Sequence, residues 1–163
     1  MSRVLRQREI VADLWRVVDA STDPADAVLL PLARWLAERE QWLERAGPLG
    51  VRLGPADPVA PLAPDLDRLS LIAIEFGAIG EGRGYTQARV LRERYGYTGE
   101  LRAVGRVTQD QIVFLARCGF DAFALDEAEL ESARAALDRY SVAYQRTDER
   151  LVRPRTRGAH ARL

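Results

Sequence analysis

The sequence predicts a single α/β domain with a mostly parallel sheet of repeated βα units, either an open sheet or a partial barrel, and short N-terminal strands. Three observations predict this class. Short apolar runs alternate with segments of helical periodicity at least four times. The runs are continuous rather than alternating, which is the pattern of parallel strands covered on both faces. Turn and cap residues stand at most of the boundaries. A length of 163 residues suits one domain and is too short for a complete (β/α) barrel of about 250 residues.

The elements read in order as follows. Residues 4–18 form a short strand or hairpin, with Ile10-Val11 and Trp15-Arg16-Val17-Val18 as strand material and Ala12-Asp13 between them. Ser21-Thr22-Asp23-Pro24 is a turn, and Ala27-Val28-Leu29-Leu30 a strand ending at Pro31. Residues 32–46 form a helix with Leu32, Trp35, Leu36 and Leu43 on its buried face, stopped by Gly47-Pro48. Leu49 to Leu53 is a strand, residues 54–65 a proline-stiffened loop, and Asp65 to Leu69 a helical turn. Leu71 to Phe76 is an apolar strand. Residues 85–95 form a helix with Tyr85, Ala88, Leu91 and Tyr95 on one stripe and Gly96 as terminator. Leu101 to Gly105 is the next strand. Thr108 and Gln111 form a capping box ahead of a helix that buries Ile112, Leu115 and Ala116 and stops at Gly119. Asp121 to Leu125 is the last strand, and Asp126 caps a final helix with Leu130, Ala133, Leu137 and Tyr140 inward. The domain covers residues 1–148. Residues 149–163 carry arginines and no acid after Glu149, and read as a flexible, Arg-rich tail.

Composition removes several function classes. Basic and acidic residues balance at 24 each, so no bulk field draws the chain to nucleic acid or to a membrane surface. Every basic residue other than His160 is an arginine, a planar fork suited to carboxylates, phosphates and sulfur oxyanions. Cys118 is the only cysteine, which rules out an internal disulfide and a cysteine-held cluster or zinc site. It ends a helix, where a thiolate is not favoured, and reads as an inert cysteine. His160, the only histidine, stands in the tail, away from any core acid–base chemistry. The first residues show no signal-peptide apolar block and no run is long enough to span a bilayer, so a cytoplasmic location is expected.

Ligands of parallel α/β sheets bind beyond the carboxyl ends of the strands. That edge collects Arg52, the segment from Glu75 to Tyr85, the loop from Gly105 to Gln111, and Asp126-Glu127. Gly77, Gly80, Gly82 and Gly84 precede a helix start, and Arg83 stands among them. The arrangement resembles an oxyanion or phosphate cradle, although it is neither a Walker loop nor a dinucleotide fingerprint. The glycines also fit a turn that lets the helix pack. Glu75 is either a general base or the salt-bridge partner of Arg83 or Arg106. Arg106 can converge on the same anion. Asp110 fits the first helical turn on dipole grounds alone, and Tyr85 fits the apolar stripe with its hydroxyl at the surface. Arg52, Gly82, Arg83, Gly84, Tyr85, Arg106, Asp110 and Gln111 are the candidate anion-binding residues, and Glu75 the candidate catalytic one.

Several runs resemble one family: Asp67 to Phe76, Gly82-Arg83-Gly84-Tyr85-Thr86-Gln87-Ala88-Arg89, Leu91 to Tyr97, Gly99 to Gly105, Asp110-Gln111, and Arg117-Cys118-Gly119-Phe120-Asp121-Ala122-Phe123. The family is the bacterial domain of unknown function 934 (DUF934). The resemblance extends from about residue 28 to residue 145, with Leu30-Pro31-Leu32 and Trp35-Leu36 as an N-terminal echo. It departs after Phe76, where relatives tend to carry proline, phenylalanine or threonine, and aspartate. Here the stretch is Gly77-Ala78-Ile79-Gly80-Glu81, which keeps a carboxylate at Glu81.

The resemblance implies a place in assimilatory sulfate and sulfite reduction, since members commonly sit beside the reductase genes. It does not imply a mechanism. Two readings follow. The first is an accessory protein that binds an oxyanion or adenylylated sulfate, or docks onto sulfite reductase or another sulfur-assimilation enzyme. The second is a small enzyme acting on an anionic metabolite. An oxidoreductase version would need a bound flavin or nicotinamide, which no motif identifies. A homo-oligomer is an open alternative.

Overall fold

Gln7 and Arg8 both take positive φ, 48° and 71°, and turn the chain between β1 (Arg3–Arg6) and β2 (Glu9–Ala12). The N-terminal hairpin is therefore present, but its turn is at Gln7-Arg8 and not at Ala12-Asp13. This is the geometry of a tight primed turn, usually marked by Asn-Gly, and the residues here carry no such mark. In this computed structural model the described residues are 2–17, 26–78 and 82–145. The turn expected at 21–24, residues 79–81 of the glycine segment and the Arg-rich tail lie outside them.

Among the described residues, β3 (Arg16–Val17), β4 (Val28–Pro31), β5 (Leu49–Leu53), β6 (Leu69–Phe76), β7 (Glu100–Gly105) and β8 (Ala122–Phe123) are parallel neighbours. β1 joins β8 antiparallel, and the eight-stranded order is β2-β1-β8-β7-β6-β5-β4-β3. The protein is thus α/β with a mostly parallel, mixed sheet. The helices are α1 (Leu32–Ala37), α2 (Arg39–Leu43), α3 (Arg83–Arg89), α4 (Ile112–Arg117) and α5 (Leu130–Gln145). None among the described residues is long and apolar enough to cross a membrane.

From β3 to β8 the order is monotonic. Right-handed crossovers that always step the same way lay every helix on one face of the sheet. One core accordingly holds Leu30, Val51, Ile72, Ile74, Leu101 and Phe123 from the strands with Trp35, Leu91, Leu115, Ala133 and Leu137 from the helical layer. The strands are nonetheless covered on both faces, with helices on only one of them. Val4, Leu71, Ala73 and Ala122 are buried on the other face, apart from that core. A bulge keeps β6 in phase: Leu49 pairs with Leu69 and Gly50 with Leu71, so the extra residue, Ser70, lets Leu69 and Ile72 face the same core.

The connection from β2 to β3 reveals the curvature. These strands are opposite edges of the sheet, and in a flat sheet seven strand spacings would separate them by about 34 Å. Only Asp13, Leu14 and Trp15 join Ala12 to Arg16, a reach of about 14 Å. The sheet is therefore strongly curled, and this short strap crosses its helix-free, inner face. Arg102 is 3% exposed on that face, with Nη1 2.8 Å from Asp13 Oδ1 and Nη2 2.8 Å from Glu100 Oε1. The Trp15 ring lies over Gly50, where an added Cβ would stand 2.9 Å from Trp15, 3.1 Å from Leu29 and 3.2 Å from Leu71.

The helical layer departs from the sequence reading in detail. The helix expected over 32–46 breaks at Glu38 into α1 and α2, and Leu36 is 44% exposed instead of inward. Within the proline loop, Ala60–Asp65 forms a 3₁₀ turn that buries Leu62. The helical turn expected over Asp65 to Leu69 continues it, closed by the Arg68 N–H on Asp65 O at 2.9 Å, and β6 starts at Leu69. α3 begins two residues earlier than expected and runs on through a π-turn over Val90–Arg94 to Gly96 at φ 65°. The Thr108–Gln111 capping box forms. Asp126 holds the N-cap position with no side-chain capping bond.

Tyr97 gives a prediction. Its ring is buried and its hydroxyl donates to Leu69 O at 3.0 Å. Burial, the largest influence, pushes that hydroxyl well above its ordinary 10.0. The folded form therefore holds the proton that the unfolded chain releases first. The stabilisation is complete below about pH 10 and falls as the pH rises further. Tyr97→Phe should lose about 1–2 kcal/mol at pH 8, from the unmet Leu69 carbonyl, and should show a shallower alkaline decline in denaturant melts between pH 8 and 11.

Candidate functional site

β5 and β6 are in parallel register, with Arg52 beside Ala73. Strand alternation then puts Arg52 and Glu75 on the inner face near the carboxyl ends. The guanidinium meets the carboxylate at two points, Nη2 to Oε1 at 2.8 Å and Nε to Oε2 at 3.2 Å. The partner of Glu75 is thus Arg52, and not Arg83 or Arg106. Oε2 accepts the hydrogen bond from Nε and Oε1 lies in ion-pair contact with Nη2, in a half-buried setting.

Arg106 follows β7 at the same edge. Gly105 takes φ 87°, and a Cβ there would lie 2.6 Å from Phe76 O. Only glycine lets β7 close so tightly on β6, and the turn passes the Arg106 N–H to Phe76 O at 2.8 Å. The Arg106 side chain is exposed.

The described part of the glycine segment reads differently from a cradle. Gly84 is buried, and a Cβ on it would stand 2.6 Å and 2.7 Å from the Phe76 ring and 3.2 Å from Ile74. It is glycine so that α3 can lie close on β6. Gly82 occupies the N-cap with nothing within 4 Å of its missing Cβ. Arg83 is exposed on the outer side, where it lines a cleft between α3 and the loop from Pro55 to Ala60.

Tyr85 and Gln111 occupy a third place, between α3 and α4. Tyr85 stacks edge-on to Phe76 at 5.3 Å and to Phe114 at 4.9 Å. Burial raises its hydroxyl above the ordinary value, Cys118 adds to the rise, and a hydrogen bond with Gln111 opposes it. Gln111 Oε1 also accepts the Thr108 N–H at 3.1 Å. Asp110 is exposed in the first turn of that helical segment. Cys118 is half-buried, and desolvation raises its thiol. That favours the thiol over the nucleophilic thiolate.

The sequence-derived set therefore divides into three groups. Arg52, Glu75 and Arg106 lie at the strand ends. Gly82, Arg83 and Gly84 belong to the start of α3. Tyr85, Asp110 and Gln111 belong to the α3–α4 contact. Sequence reasoning missed the buried Asp13–Arg102–Glu100 group. An arginine in the middle of the apolar strand Leu101 to Gly105 was the available signal. It also missed Arg92, whose guanidinium donates to Tyr97 O at 2.6 Å, Gly99 O at 2.9 Å and Gly119 O at 3.0 Å and pairs with Asp121. Nothing in the sequence set that arginine apart from its neighbours.

These features define a small α/β protein with a curled, mostly parallel sheet whose cationic groups are spread over its surface. The chain belongs to the family described as bacterial protein of unknown function (DUF934), whose model matches residues 50–153. The match begins at β5, so the N-terminal echo at 30–36 lies ahead of it. Curated proteins offer no match to the chain.

Proposed function

We propose that the chain is an accessory protein of assimilatory sulfate and sulfite reduction, working in the cytoplasm by docking onto sulfite reductase or a neighbouring enzyme of that route. Family resemblance supplies the pathway. The single observation that favours docking over catalysis is the two-point Arg52–Glu75 pair, because it occupies both oxygens of the carboxylate best placed to act as a base. The spread of Arg83 and Arg106 over separate surfaces adds to this, since a tight oxyanion site needs its forks to converge. We read the curled sheet as a partial barrel of βα units whose rigid outer layer presents the docking face.

Oxyanion binding at Arg106 is the subordinate form of the proposal. The competing enzyme reading requires Glu75 to leave Arg52 before it can take a proton. The test is a sulfite reductase assay with and without the purified chain, beside the chain alone with an electron donor. The expected result is a change in reductase turnover or half-life on adding the chain, and no sulfite reduction by the chain alone. Sulfite reduction by the chain alone, lost in Glu75→Gln, overturns the proposal. Titration with sulfite, sulfate and adenylyl sulfate, repeated in Arg106→Ala, reads the oxyanion arm.

A further inference from the structure

The cleft between α3 and the loop from Pro55 to Ala60 has a volume of about 550 Å³ and opens broadly to solvent. Its two walls have different origins. One is the loop, whose prolines Pro55 and Pro58 restrict the backbone. Gln87 is 7% exposed, and its Nε2 donates to Gly54 O and Asp57 O, both at 2.9 Å. That clamp fixes the loop to the helix, so the cleft is formed in advance of any partner. The other wall is the outer face of α3 and its π-turn, with Arg83 at one end and Arg94 at the other.

Neither Arg83 nor Arg94 forms an ion pair with another described residue, and both are exposed. The neighbouring acid Glu93 is taken by Arg89 at 3.2 Å. Asp57, the acid on the loop wall, turns Oδ2 back to the Gly54 N–H at 2.8 Å. Arg94 packs over the Tyr95 ring at 5.6 Å, which limits its freedom. The cleft is thus apolar along its length, with a fork at each end that no described carboxylate pairs.

Eleven residues of helix separate the two forks, about 16 Å along the axis. An extended peptide rises about 3.3 Å per residue and turns every second side chain to one face, so residues four apart share a face about 13 Å apart, and the long arginine side chains span the rest. A small ligand site encloses most of its ligand's surface, whereas this cleft is shallow and long. We infer that the cleft between α3 and the Pro55–Ala60 loop binds an extended acidic segment of a partner protein, with carboxylates four residues apart on Arg83 and Arg94 and apolar residues between them. The inference rests on the docking reading above and specifies its surface and the chemistry of its partner.

The test is fluorescence anisotropy with a labelled eight-residue peptide carrying glutamates at positions 2 and 6 and proline, valine and alanine between them, titrated with the full chain. Saturable binding is expected. Arg83→Ala and Arg94→Ala should each weaken it by roughly fivefold, and a peptide with glutamines in place of both glutamates should lose it. Both arginines are exposed, so the variants should melt like the wild type. Equal binding of the acidic and neutral peptides, or binding unchanged in the double variant, overturns the inference. So does displacement of the peptide by an equal concentration of inorganic sulfate, which would make the cleft a simple anion site. The two proposals fail separately. If the peptide binds and sulfite reductase is unaffected, the pathway reading fails. If the reductase responds equally to wild type and to the Arg83→Ala/Arg94→Ala variant, the pathway reading stands and this cleft is not its surface.

Discussion

Replacing Arg102 by alanine should cost about 3–5 kcal/mol of folding stability, read as a lower denaturant midpoint at neutral pH. Arg102 is almost wholly buried on the inner face of the curled sheet, and its fork holds Asp13 and Glu100 together. Without it, Asp13 loses its cation and Glu100 keeps only Arg6, at 3.7 Å. The consequence is more than local. Asp13 belongs to the strap that joins the two sheet edges, so the variant also frees Asp13 to Trp15 from β7. Protease cleavage near Leu14, which is already 66% exposed, should accelerate. A compensating variant separates the charge from the fold: Asp13→Asn and Glu100→Gln together with Arg102→Met should recover most of the loss, because a satisfied polar or apolar set needs no ion pair. Failure of the triple variant to recover would mean that the ion pairs themselves, and not the filled space, hold the strap.

Gly84→Ala should destabilise the protein by about 1–3 kcal/mol, whereas Gly82→Ala should change stability by about 0.5 kcal/mol or less. The first Cβ drives into the ring of buried Phe76 and the second meets open space. Phe76 cannot swing away, because Tyr85 and Phe120 pack against it at 5.3 Å and 5.9 Å. If instead the glycines served a bound anion, Gly82 and Gly84 should both leave stability unchanged and both weaken anion binding. Thermal melts of the two variants beside a sulfate titration distinguish these outcomes.

Much of the fold was legible because parallel strands leave short apolar runs that helix periodicity does not imitate. Leu49 to Leu53, Leu71 to Phe76 and Leu101 to Gly105 all fall within strands. Helix ends with a backbone signature were equally readable, at Thr108, Gly96 and Gly119, where a capping box and positive φ fix the boundary. What was not legible depends on distant residues. The Gln7-Arg8 turn carries no glycine or asparagine, so only the pairing of β1 with β2 reveals it. The break at Glu38 has no proline or glycine to announce it.

The structure places Arg52, Glu75 and Arg106 at the strand ends and Arg83 apart from them. Arg52 and Glu75 are side by side because of register between β5 and β6, and register is not written in either strand alone. Arg83 and Arg106 follow strand ends, as expected, yet α3 turns Arg83 onto the outer layer, away from the inner face. A glycine that serves close packing and one that serves a ligand also look the same in sequence. Gly84 separated from Gly82 only when Phe76 came into view beneath it.

The most direct measurement of the central claim is isothermal titration of the purified chain into assimilatory sulfite reductase. The account predicts saturable heat at a fixed stoichiometry, weakened at higher salt because charged forks contribute to the contact. No heat with the reductase, together with turnover of an anionic metabolite by the chain alone that Glu75→Gln abolishes, would contradict it.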